Sequence, residues 1–78
     1  MRTKEYHLVI AFYSTHDAMA FEEICRAKGA VGRLIPLPKE ISAGCGLAWC
    51  AQPGEEENLY LLLAEAGIKP QEKRICLV

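Results

Sequence analysis

Long apolar runs are missing from this chain, and none approaches the ~20 residues that cross a bilayer. Runs of basic residues are missing too. Nine Lys and Arg stand against ten Asp and Glu, for a formal net charge of −1. No basic cluster offers the positive face that neutralises phosphates. Neither nucleic acid nor a membrane is therefore an expected partner. Met1-Arg2-Thr3-Lys4-Glu5-Tyr6-His7 leads into a short apolar stretch with no cleavage region behind it, so no export signal is read and a cytoplasmic location is expected. Without export, the four cysteines are expected as reduced thiols and not as a disulfide framework.

What the chain does have is hydrophobic substance: 51% of its 78 residues are apolar. That is the composition of a folded globule rather than a solvated tail. A chain this short buries only ~60–65% of its unfolded surface, so residues 1–78 are expected to form a single domain.

Tyr6-His7-Leu8-Val9-Ile10-Ala11-Phe12-Tyr13 is rich in β-branched and aromatic residues and predicts a buried strand. Ser14-Thr15-His16-Asp17 predicts a helix start, with Ser14 or Thr15 capping free N–H groups and Asp17 at the positive end of the dipole. Ala18, Phe21 and Cys25 share one helical face with Ile24 beside them, and Gly29 supplies the stop. Val31 to Leu37 predicts a second strand, its Pro36 and neighbouring Pro38 suited to a sheet edge. Leu47 to Gln52 predicts a third, ended by Pro53-Gly54. Glu55-Glu56-Glu57 reads as the solvated first turn of a second helix, with Leu59, Leu62, Leu63 and Ala66 as its apolar stripe and Gly67 as its stop. Arg74-Ile75-Cys76-Leu77-Val78 predicts the last strand.

The order β-α-β-β-α-β, with each helix ending in small residues and a glycine, predicts an α+β ferredoxin-like sandwich. Two helices then cover one face of a four-stranded antiparallel sheet in the order 4-1-3-2. The proline-bearing second strand falls at an edge. In this topology the turn between the second and third strands lies at the same end of the sheet as Ser14-Thr15-His16-Asp17.

That turn holds Ser42-Ala43-Gly44-Cys45-Gly46. Thiol chemistry runs through the thiolate, which a helix N-terminus or a nearby cation favours. Cys45 is thus the candidate reactive thiol and His16 its candidate activator. Gly44 and Gly46 free the backbone and let another macromolecule approach. Ser14 and Thr15 cap the helix beside it, while Arg33 and Lys39 are candidate cations on the way into the turn. Cys50 is a candidate resolving thiol only if the turn curls back, since a disulfide needs Cα atoms within ~7 Å. Cys45-x-x-x-x-Cys50 has no histidine or second cysteine pair to complete a tetrahedral set, so neither a metal nor a cofactor is expected. Cys25 and Cys76 read as small apolar core residues.

The sequence resembles the selenium/sulfur-carrier-like family of short prokaryotic domains. The resemblance rests on the first strand followed by Ser14-Thr15-His16-Asp17-Ala18, on Arg33-Leu34-Ile35-Pro36-Leu37-Pro38, and on Ile41-Ser42-Ala43-Gly44-Cys45-Gly46-Leu47. It implies that Cys45 receives sulfur or selenium as a persulfide or selenylsulfide and passes it to an acceptor enzyme. A cysteine desulfurase or selenocysteine lyase would be the donor. Such a carrier is a co-substrate of its partners' reactions rather than an enzyme. Two other readings compete with it. One is a non-catalytic interaction module that forms a homo-oligomer through an open sheet face bearing Val9, Ala11 and Tyr13. The other is a thiol-based metal chaperone or redox protein using Cys45 with Cys50.

Overall fold

The structure, a computed structural model, describes residues 5–39, 41 and 46–78. Its elements run β1 (Tyr6–Phe12), α1 (Thr15–Lys28), β2 (Arg33–Pro36), β3 (Leu47–Ala51), a 3₁₀ turn (Pro53–Glu55), α2 (Glu56–Ala66) and β4 (Pro70–Leu77). The strands form one sheet in the order β2-β3-β1-β4, with every neighbouring pair antiparallel. This is the α+β sandwich that the element order predicts, read from the opposite edge.

β1 lies at the centre and is buried on both faces, from Leu8 to Phe12 without interruption. Period-two alternation splits its side chains between two apolar layers. Leu8, Ile10 and Phe12 join Trp49 and Ala51 of β3, Ala18, Phe21 and Cys25 of α1, and Leu59, Leu62 and Leu63 of α2. Both helices therefore cover one face. Phe21 sits between Phe12 at 5.6 Å and Trp49 at 5.5 Å, centroid to centroid, meeting the indole edge-on. Tilted and edge-on ring pairs of this kind are worth ~0.5–1.5 kcal/mol beyond the area they bury. They fix α1 against β1 and β3 together.

The second layer departs from expectation. Val9 and Ala11 are sealed at 0% exposure in a cluster with Ala48, Cys76 and Ile41, flanked by Ile35, Leu37 and Val78. Ile41 belongs to the segment joining β2 to β3, and the burial of its side chain covers the centre of the face. The apolar face expected to be open for a second copy is thus closed at Val9 and Ala11. Tyr13 remains 62% exposed.

Three boundaries also differ. β2 begins at Arg33 rather than Val31, because Gly32 takes φ +124°, outside any strand conformation. β4 begins at Pro70, four residues before Arg74. Its polar first half is held by backbone pairing to β1, and a proline is tolerated as the first residue of an edge strand. Ala66 is exposed, so the buried stripe of α2 ends at Leu63. Lys73 of β4 lies 4.3 Å from the ring centre of Tyr60, joining the edge strand to α2.

Gly32 is the position least open to replacement. A Cβ there would fall 2.5 Å from Trp49 Nε1 and 2.7 Å from the Cys50 carbonyl oxygen. Among the described residues the buried indole nitrogen has no hydrogen-bond partner, so none of them compensates a displacement of the ring. Gly32→Ala therefore combines a disallowed backbone with a clash against a packed core, and a loss of about 2–4 kcal/mol is expected in urea unfolding. Gly54→Ala, which meets nothing within 4 Å and has no positive φ, should stay within about 0.5 kcal/mol of the parent.

Candidate functional site

Strand register defines which parts of the molecule share an end. Ala11 pairs with Ala48, and Pro36 pairs with Leu47. The end of β1, the end of β2 and the start of β3 therefore meet at one pole. The opening turn of α1 follows β1 there after only Tyr13 and Ser14. Ser14 is extended at φ −143°, ψ 158°, and its hydroxyl oxygen accepts the Asp17 N–H at 3.1 Å. Its carbonyl accepts from Ala18 N at 3.2 Å. These bonds make Ser14 the N-cap and Thr15 the first helical residue, with Thr15 and His16 both exposed. The positive end of the helix is at this pole.

On the hairpin side, Leu37 N donates to the Gly46 carbonyl at 2.9 Å, and Ile41 N donates to the Pro38 carbonyl at 3.1 Å. Gly46 has φ +80° with open space where a side chain would go. It is a glycine for its dihedral and not for lack of room. Gly44 and Cys45, the other members of the proposed thiol turn, lie outside the described residues, as do Glu40, Ser42 and Ala43. Ser14, Thr15, His16 and Gly46 are thus brought to one end of the sheet.

Arg33 and Cys50 are not at that end. Arg33 opens β2, and its register partner is Cys50 on β3. Cys50 stands three residues beyond Leu47, ~10 Å along the strand. Arg33 acts on Cys50: burial pushes this thiol up, the guanidinium pulls it back, and Cys76 pushes it up again. Cys25, deep against the helices, is pushed up by burial to about 11. Cys25, Cys50 and Cys76 are all buried thiols. The sequence reading does not single out His7. Its alternation with Val9 and Ala11 is the signal that puts it on the face of Cys50 and Cys76, and Cys76 is its register partner. Among the described residues no group of three His, Cys, Asp or Glu side chains could hold a metal ion. No described helix is long and apolar enough to cross a membrane.

The described chain is a small α+β sandwich with Gly46 and the capped opening of α1 at one pole. The chain belongs to the family described as "Putative Se/S carrier protein-like", whose model matches residues 6–73. That span includes the position of Cys45 and nearly the whole fold. No curated protein and no solved structure matches the chain.

The raised Cys25 thiol makes stability depend on pH with a definite sign. Unfolded, this thiol titrates near its ordinary value of 9.0; folded, it holds its proton to about 11. Its contribution is complete below pH 9 and is lost as pH rises from 9 towards 11. Urea midpoints should therefore fall between pH 8 and pH 10. Cys25→Ala should be less stable at pH 8 by about 1–2 kcal/mol but show a shallower decline over that window.

Proposed function

We propose that the protein carries sulfur or selenium on Cys45, as a persulfide or selenylsulfide, and hands it to an acceptor enzyme. The observation that carries this reading is the family match across residues 6–73. A second support is the register that gathers Gly46, Ser14, Thr15 and His16 at one pole. Cys45 is the residue bonded to Gly46, and a thiolate gains from the partial positive charge of a helix opening.

The chemistry needs two exchanges. In the first, the Cys45 thiolate attacks the terminal sulfur or selenium of a persulfide or its selenium analogue on the donor. Cysteine desulfurase and selenocysteine lyase are the donor classes that make such groups. The bond from the transferred atom to the donor sulfur breaks, and the donor leaves as a thiolate. In the second, an acceptor nucleophile takes the atom from Cys45 and restores its thiolate. No electrons are gained or lost overall by the carrier. Its task is to hold the atom on an approachable turn, with His16 and the helix opening favouring the anion. Cys50 is buried with its thiol pushed up, and strand register sets it at the other end of β2 from Gly46. The sulfur is therefore held and released on Cys45 alone.

Incubation with a cysteine desulfurase and cysteine, followed by mapping of the modified peptide, should place one added sulfur atom on Cys45. Cys45→Ser should abolish loading while leaving the urea midpoint within about 0.5 kcal/mol of the parent. His16→Ala should slow loading about two- to fivefold, the worth of one partly exposed charge or dipole contact. Absence of an adduct on Cys45, where an established carrier loads under the same conditions, overturns the proposal.

A further inference from the structure

A groove of about 750 Å³ runs the length of β2, from Val31 and Gly32 to Pro36 and Pro38. Its lining includes Arg33, His7, Cys50, Ile35, Gln52 and the acidic Glu5. Three reactive types thus share one opening. Register explains why: Arg33 is directly opposite Cys50, Cys50 is opposite Val9, and His7 lies two residues along β1 from Val9 on the same face. Directly opposed side chains have Cβ atoms ~4.5–5.5 Å apart, and diagonal neighbours remain within reach of long side chains.

The three described cysteines are not equivalent here. Cys25 is 0% exposed, Cys76 is 4% and Cys50 is 8%, and of these only Cys50 lines the groove. Arg33 is exposed and belongs to neither described ion pair, Arg26–Glu22 or Arg74–Glu72, while Glu5 lines the same groove as an exposed side chain. His7 Nδ1 donates to the Glu5 carbonyl at 3.0 Å, because a carbonyl oxygen can only accept. In the neutral imidazole this leaves Nε2 as the proton acceptor.

We propose that Cys50 is a reversible S-thiolation site for small disulfides that carry an anionic group, with Arg33 holding the anion in the groove. The Cys50 thiolate attacks one sulfur of the disulfide. A new S–S bond joins Cys50 to that half, the original S–S bond breaks, and the other half leaves as a thiolate. Cys50 is oxidised and the leaving half reduced. The proton lost by Cys50 passes through His7 or water to the departing thiolate. A small thiol reverses the exchange by the same route. This proposal does not rest on the carrier reading.

The balance between burial and Arg33 at this thiol adds a pH signature. Reaction should speed up as pH rises beyond the ordinary thiol range, and removing the guanidinium should move that rise to still higher pH.

The test uses the full chain carrying Cys45→Ser, so that label on the proposed carrier thiol does not obscure the result. It is exposed at low salt to a dicarboxylate aromatic disulfide and, separately, to neutral hydroxyethyl disulfide, with adducts mapped residue by residue over time. Each rate is referenced to that of a free thiol with the same disulfide. Cys50 should be labelled before Cys25 and Cys76. The anionic disulfide should be favoured about two- to fivefold over the neutral one, the range of a partly exposed charge pair. That preference should vanish in 1 M salt and in Arg33→Gln. Labelling of Cys25 or Cys76 ahead of Cys50 overturns the proposal, as does an anionic preference that survives Arg33→Gln. Mapping in the Cys50-containing protein decides the matter even if Cys50→Ala fails to fold.

Discussion

The double burial of β1 is the constraint from which the rest of the molecule follows. Leu8 to Phe12 present apolar side chains to both faces of the sheet, so a single covering layer would leave Val9 and Ala11 in water. At ~25 cal/mol per Å² of apolar surface, a fully buried Val or Leu is worth ~1.5–3 kcal/mol, a large fraction of a small domain's net stability. The helices supply one layer through Phe21, Leu59, Leu62 and Leu63. Ile41 and Leu37 help to supply the other. Because Ile41 lies between β2 and β3, burying β1 also ties the hairpin connection to the sheet. The segment that leads to Cys45 is thus connected to the core by the same hydrophobic demand that builds the fold.

The aromatic chain Phe12–Phe21–Trp49 does the corresponding work on the other side. It locks α1 onto β1 and β3, and the Ser14 cap sets where the helix begins. Together they hold the helix opening at the pole where β3 starts. Electrostatic help from a helix end fades within its first turn, so such help depends on this rigid placement more than on any one charged side chain. Arg33 illustrates the point. It is close to the hairpin in sequence terms, yet register sends its charge to Cys50 at the remote end of β2.

The sequence made the architecture legible where local and global signals agree. The capped start at Ser14, the stops at Gly29 and Gly67, and the buried character of β1 and β3 all follow from residue type. The edge place of β2 follows from its prolines. The first half of β4 was not legible, because Gln71, Glu72 and Lys73 carry no strand signature, and Glu72 and Lys73 are held by pairing with Ala11 and Ile10 across most of the chain. Nor was the closing of the second sheet face. Ile41 sits alone between polar residues, and nothing local says that it folds back over Val9 and Ala11. At the candidate site, period and capping located the pole and the helix opening. The partnership of Arg33 with Cys50 depended on a strand register that composition does not encode. Cys45 itself was singled out by its glycine neighbours and by resemblance.

One further consequence comes from the central strand's second partner. β1 is flanked on one side by β4, and Leu8 faces Ile75, 67 positions later. Closing so wide a loop costs entropy that grows with its length. During synthesis, β1, both helices and the β2–β3 hairpin all emerge before that partner exists. A nascent chain therefore carries an open flank on its most hydrophobic strand until translation has nearly passed β4. Over that interval it is most exposed to chaperones and to mispairing with its neighbours on the same message.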